Sequence, residues 1–387
     1  MWFFNSPEVV YGEDALSHLA DIQGGRAFLV TDRTMGELGF VERVAQELAR
    51  AGIDVQVYDA VEPEPSLQTV RHGAALMLDF EPDWIVGLGG GSVLDAAKAM
   101  WVLYERPDIQ PAAINPMERL GLRERAHMIA IPTTSGTGSE ATWAIVLSDT
   151  DAQRKLGLGS RECMPDIAIL DPSLAARMPP RLTADTGMDA LTHAIEGYTS
   201  RWRNDFSDGL CLKAVQLIFA YLPRAYADGD DMEAREHMHN AASLAGLGFI
   251  NSMAGLAHGM GHPLGAVFKV PHGRSVGLFL PYTIQFAADA MGRRYADVAG
   301  VAGLEGAAEM DGPTLLVQGI HNLMNAIDQP TTLNELDINV EELDRKLPKL
   351  VSDAENDSQT VTSPRIPSDT DLERLYRCAL SGRRVDF

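Results

Sequence analysis

Through its first half the chain of 387 residues alternates short apolar runs with helix-period segments, and the alternation ends at Met178-Pro179-Pro180. Ala27-Phe28-Leu29-Val30-Thr31 is an apolar run closed by Asp32. Val41, Val44, Ala45 and Leu48 follow at helical spacing, and Gly52 is placed to stop that helix. Ile53, Val55 and Val57 alternate with polar residues, as a strand does. Residues 84–88, 128–131 and 167–170 are further buried-strand patterns. Strands separated by helices predict βαβ units and a mostly parallel sheet. Beyond the prolines the pattern is helical, over residues 184–198, 208–221 and 233–247, with no convincing strand. A proline pair is a natural element break. The prediction is an α/β domain over residues 1–180 and an all-helical domain over 181–387. The polar stretch 352–362 reads as a loop.

Composition narrows the function classes. Hydrophobic residues are 45% and charged residues 22%, which suits a large packed core and excludes collagen-like, disordered and disulfide-scaffold chains. Lys plus Arg is 32 against 54 Asp plus Glu, a net charge of −22. Such a surface repels phosphate backbones and anionic lipid, so neither nucleic acid nor a membrane is an expected partner. Cys163, Cys211 and Cys378 are far apart and form no CxxC pair, which argues against a disulfide framework and a cysteine zinc knuckle. The start, Met1-Trp2-Phe3-Phe4-Asn5-Ser6-Pro7, lacks a signal-peptide pattern, and no apolar run has membrane-span length. A soluble cytoplasmic protein is expected.

Two loops point to a phosphate-bearing ligand. Gly87-Leu88-Gly89-Gly90-Gly91-Ser92 lies between a predicted strand and a predicted helix. Glycines admit a ligand to the backbone, and the helix N-terminus offers free N–H groups and positive dipole charge. Ser92 stands where GxGxxG would end in glycine. It is expected to cap the helix, with Asp95 completing a capping box. Pro132-Thr133-Thr134-Ser135-Gly136-Thr137-Gly138-Ser139-Glu140 follows another strand and is dense in hydroxyls. Both loops would sit at the carboxyl ends of strands, where open α/β sheets bind ligands.

Histidines gather in the helical half. Asp189 and His193 are i and i+4, as are His258 and His262, and His272 follows Pro271. Each pair shares a helix face. Asp and His without cysteine suit Fe²⁺, Zn²⁺ or Mn²⁺. Spacing alone does not choose between His262 and His272 as the fourth ligand. His237 and His239 are two apart on a helix and point in different directions.

Taken together, these segments resemble the iron-containing (group III) alcohol dehydrogenases. The resemblance is carried by Gly89-Gly90-Gly91-Ser92 with Asp95 and Lys98, the loop 132–140, the run from Thr186 to Glu196, the run from Gly255 to Gly265, and Pro271-His272-Gly273. It implies a dehydroquinate synthase-like architecture, with a nucleotide-binding α/β domain, a helical domain and the site in the cleft between. It implies a divalent metal on Asp189, His193, His258 and His272, with Fe²⁺ favoured and Zn²⁺ the alternative. His262 then matches a non-ligand histidine near nicotinamide and substrate. Gly89, Gly90, Gly91, Ser92, Thr133, Thr134 and Thr137 match the cofactor loops. Lys155 resembles a cofactor-contacting lysine. Asp32 matches the carboxylate that favours NAD, since it would accept ribose hydroxyls and repel a 2′-phosphate.

The implied activity is reversible oxidation of a primary alcohol to an aldehyde with NAD, the metal polarising the substrate oxygen. A glycerol dehydrogenase or maleylacetate reductase is an alternative on the same scaffold, and a dehydroquinate-synthase-like lyase is another. A homodimer is expected, dimers being the commonest soluble assembly and frequent in this family. The sequence departs from the family pattern at Glu64, where many members have asparagine, at Gly261, often alanine, and at Ser363-Pro364-Arg365, commonly Asn-Pro-Arg.

Overall fold

The computed structural model describes residues 3–150, 154–305 and 311–387. The chain divides into two compact units, Asn5–Arg177 and Met178–Phe387. Phe3 and Phe4 pack with the second, the Phe4 ring lying 5.6 Å from that of Phe206. No helix among the described residues is long and apolar enough to cross a membrane.

The first unit holds strands β1 (Glu8–Tyr11), β2 (Arg26–Val30), β3 (Asp54–Tyr58), β4 (Trp84–Gly89), β5 (His127–Pro132), β6 (Ala144–Asp149), β7 (Arg154–Gly159) and β8 (Ile167–Leu170). Its helices are α1 (Arg33–Glu37), α2 (Phe40–Arg50), α3 (Leu67–Phe80), α4 (Gly91–Glu105) and α5 (Pro172–Ala175). Six strands form one parallel sheet in the order β1-β8-β5-β4-β2-β3. The apolar runs are buried on both faces. Phe28, Val30, Ile85 and Met128 enter one core, while Leu29, Val86, Leu88 and Ile129 enter the other. That two-sided burial is why these strands read as continuous apolar runs rather than alternations. After β3 the chain crosses back to place β4 on the other side of β2. The loops leaving β2 and β4 therefore mark the switch point of the sheet.

Three strands were not evident as patterns. β1 is a four-residue edge strand, and β6 and β7 form a separate antiparallel hairpin. β7, Arg-Lys-Leu-Gly-Leu-Gly, lacks any apolar run.

The second unit is helical: α6 (Pro180–Thr199), α7 (Asp205–Ala227), α8 (Met232–Ile250), α9 (Leu256–Phe268), α10 (His272–Phe286), α11 (Ala288–Val301), α12 (Gly312–Ala326), α13 (Val340–Glu355) and α14 (Asp369–Ser381). Helix α6 is buried over nearly its whole circumference, so its polar residues are enclosed by neighbouring helices. The stretch expected to be a loop is one only in part. Residues 352–355 complete α13, and Thr360–Thr362 make a short 3₁₀ turn.

Candidate functional site

In the helical unit, Asp189 and His193 stand one turn apart on α6, His258 lies in the first turn of α9, and His272 opens α10. Asp189 Oδ1 lies 3.3 Å from His272 Nε2, 3.7 Å from His258 Nε2 and 3.9 Å from His193 Nε2. Ligands at 2.0–2.2 Å around a tetrahedral ion stand about 3.3–3.6 Å apart. Asp189 Oδ1 and His258 Nε2 are buried without a hydrogen bond. Orphaned polar atoms are costly in an interior unless a ligand satisfies them. This donor set therefore fits a divalent ion. The ligand atoms of Asp189, His258 and His272 all lie within 4.8 Å of one another, and His193 stands outside that tight group. Its ring is stacked between Phe249, at 4.1 Å, and His258, at 4.6 Å.

Electrostatics suits the donors. Burial opposes ionisation of Asp189, but the imidazoles of His193, His272 and His258 that face it outweigh that and hold the carboxyl well below its usual range. Burial pushes His193 down to about 3, against the pull of Asp189, so its ring is neutral. Burial also lowers His258, yet Glu196 and Asp189 outweigh it and push the ring up to about 10. His258 would have to give up that proton before its Nε2 could hold a divalent ion.

His262 takes a different place from the donors. Its Nδ1 lies 2.7 Å from Asp357 Oδ2, and its ring stacks on His272 at 5.3 Å. Two residues absent from the sequence-based site stand here. Asp357 lies 95 positions from His262, inside the polar stretch, and no local pattern marks it. Glu196 bonds His258 Nδ1 at 2.5 Å. It follows Asp189 by seven residues, so a helical stripe of Asp189, His193 and Glu196 was the available signal.

In the α/β unit, the glycine-rich turn leaves β4 and enters α4. A Cβ at residue 89 would meet Val93 at 2.7 Å, and one at residue 91 would meet Thr137 at 2.8 Å. The turn thus packs directly on the hydroxyl-rich loop. At residue 90 the nearest atom to a Cβ would be Thr134 Cγ2, at 3.3 Å. The buried Thr133 donates its N–H to Gly89 O at 3.1 Å. Thr137 Oγ1 accepts from Ser139 N at 3.2 Å. Lys98 ties the second loop to α4. Its buried ammonium donates to Ser139 O at 2.7 Å, Ser139 Oγ at 2.8 Å and Ala144 O at 3.0 Å. A Gly-rich turn at a helix N-terminus, backed by hydroxyls, fits a dinucleotide phosphate.

The capping expectation at Ser92 is corrected. The helix begins earlier than expected, with Gly90 as N-cap. Ser92 lies inside the first turn, and its Oγ accepts from Glu64 N at 3.3 Å. Asp95 turns instead to Ser139 Oγ at 2.6 Å and Val146 N at 2.9 Å. Lys155, on β7, reaches Glu64 Oε1 at 2.6 Å, so both meet beside this turn. Glu64 sits at φ 57°, a left-handed conformation that asparagine adopts more readily than glutamate. Asp32, just past β2, caps α1. Its Oδ1 accepts from Thr34 N at 2.8 Å and Met35 N at 3.3 Å.

Comparison with known proteins agrees with this pairing of folds. Residues 6–172 match the family model described as iron-containing alcohol dehydrogenase, and residues 183–380 match that of the Fe-containing alcohol dehydrogenase family, C-terminal. The NADPH-dependent butanol dehydrogenase of Clostridium saccharobutylicum is 40% identical over 382 residues, covering 98% of each chain. The crystal structure of a 1,3-propanediol oxidoreductase superimposes with a TM-score of 0.91 at 31% identity, over 98% of this chain and 100% of that one. A sulfoacetaldehyde reductase from Bifidobacterium kashiwanohense, solved with NAD+, has a TM-score of 0.88 at 28% identity, over 98% and 99%. With both halves matched across nearly their whole length, the chain belongs to the iron-containing alcohol dehydrogenase family and is an oxidoreductase of alcohols and aldehydes.

Proposed function

We propose that the chain reversibly oxidises a primary alcohol to its aldehyde with NAD and Fe²⁺, as a cytoplasmic homodimer. Residues 1–180 would serve the cofactor and 181–387 the metal. The observation that carries this reading is Asp189 Oδ1 ringed by three imidazole Nε2 atoms at 3.3–3.9 Å. Asp189, His193, His258 and His272 would hold the ion. When bound, a divalent ion supplies Lewis acidity toward a substrate oxygen, and nicotinamide supplies the hydride acceptor.

The chain's own residues do the rest. The ionised Asp189 and the neutral His193 present lone pairs without prior proton loss. Asp357 accepts the Nδ1 proton of His262, which leaves Nε2 to take a proton from an alcohol hydroxyl or pass it on. Asp357 is thus a positioning residue for His262. Gly89, Gly90, Gly91, Ser92, Thr133, Thr134 and Thr137 would line the pyrophosphate, with Lys155 as a nearby cation. Both capping bonds of Asp32 fall on Oδ1, so Oδ2 is left to favour ribose hydroxyls over a 2′-phosphate. The relative named as NADPH-dependent makes this the point to measure first.

The test is nicotinamide reduction over a panel of alcohols and polyols, by protein stripped of metal and resupplied with Fe²⁺ or Zn²⁺. We expect metal-dependent NADH formation from primary alcohols, with NAD preferred over NADP. Turnover of glycerol or maleylacetate alone would reassign the substrate. Equal use of NADP would overturn the role given to Asp32.

A further inference from the structure

We infer that Glu196 sets how tightly the helical unit holds its metal, by fixing His258 in the tautomer and orientation that leave Nε2 as the donor atom. This rests on the metal reading proposed above. Glu196 lies three residues after His193 on α6, so Asp189, His193 and Glu196 form one stripe at i, i+4 and i+7. Its side chain is 7% exposed. One carboxylate oxygen, Oε2, lies 2.5 Å from His258 Nδ1, and the other, Oε1, accepts from Ala257 N at 2.6 Å. Two donors from α9 therefore meet the two oxygens of one carboxylate from α6.

With Oε1 accepting from Ala257 N and Oε2 facing the ring as an acceptor, the hydrogen of this bond is placed on Nδ1. A metal must then be met by Nε2, which is buried, lacks a hydrogen bond and faces Asp189 Oδ1 at 3.7 Å. The second bond fixes the helix that carries His258. Helix α9 has glycine at its N-cap and no side-chain cap of its own there. Glu196 supplies an acceptor to an N–H of its first turn from outside the helix. Residue 255 has to be small for this, since a Cβ there would stand 3.0 Å from Oε1. One side chain thus locks both the register of α9 against α6 and the ring orientation of its ligand. Loss of such a partner behind a metal-bound histidine typically weakens metal affinity by about 10–100-fold.

The test is titration of metal-depleted full-length protein with Co²⁺, read by chelator competition and by the visible ligand-field spectrum, in wild type, Glu196→Gln and Glu196→Ala. Glutamine keeps the volume but offers one acceptor and one donor to two donors. We expect Co²⁺ affinity about tenfold lower in E196Q and about 100-fold lower in E196A, with an altered ligand-field spectrum. A purely structural role would lower the melting temperature and leave the affinity of the folded protein unchanged. Wild-type affinity in either folded variant overturns the inference, and E196Q decides alone if E196A does not fold. Failure of wild type to bind Co²⁺ stoichiometrically would instead overturn the metal reading itself.

Discussion

Single side chains in this protein are governed by how completely they leave water. The three cysteines show it plainly, since all are buried and unbridged. Burial pushes the Cys163 thiol up to about 12, and it also raises Cys211 and Cys378. The thiolate is the nucleophile, so a thiol raised this far is inert at about pH 8. Iodoacetamide should leave Cys163 and Cys211 unmodified in the native protein at about that pH and label them after unfolding, as read by mass spectrometry. Rapid native labelling would show that these sites open. The sign is fixed by the shift: reactivity rises only as pH climbs toward about 12 for Cys163. The same desolvation acts on His193 in the opposite sense, keeping it neutral and available as a donor.

Between elements, the decisive contacts are backbone approaches that permit no Cβ. Gly273 follows the proposed metal ligand His272 at the start of α10, and a Cβ there would collide with Asp185 O and lie 3.0 Å from Asp189 Cβ. Helix α6 and helix α10 are therefore held at a distance only glycine allows, and that distance joins His272 to Asp189. Gly273→Ala should cost at least about 2 kcal/mol, because a backbone carbonyl cannot yield as a flexible side chain can. It should also weaken Co²⁺ binding, by moving one helix of the site. Gly209, in α7, is the contrasting case, because a Cβ there would meet nothing within 4 Å. Gly209→Ala should stabilise by up to about 1 kcal/mol through helix propensity alone. Thermal melts of the two variants check both signs, and equal effects would refute the steric account.

At the scale of the whole molecule, each compact unit carries its own proposed ligand set. The four proposed metal donors all belong to Met178–Phe387, and the glycine-rich turn belongs to Asn5–Arg177. A ligand that binds only the folded state stabilises it by about 4.1 kcal/mol at 1,000 times its dissociation constant. Removing metal with a chelator should therefore lower the melting temperature. Amide exchange should quicken first in α6, α9 and α10, while residues 26–60 of the sheet stay protected. Uniform loss of protection throughout both units would contradict a local metal contribution.

Local periodicity determined much of this. The buried runs around residues 28, 86, 129 and 168 each became a strand of the parallel sheet, and the helical half was readable from its 3.6-residue repeat. The i,i+4 spacing marked α6 and α9, since the partners are fixed by the geometry of a single helix, whereas His272 on α10 has no such partner. Tertiary structure decided what spacing leaves open. His258 and His262 share a helix, yet only His258 turns its Nε2 toward Asp189, because Glu196 holds it from α6 and Asp357 draws the His262 ring the other way. Ser92 looked like a cap until the turn placed Gly90 there, and Glu64 and Lys155 meet across 91 positions of sequence. Periodicity reports which face of an element is buried. Which polar atoms then meet depends on how separate elements pack, and no stretch of local sequence carries that geometry.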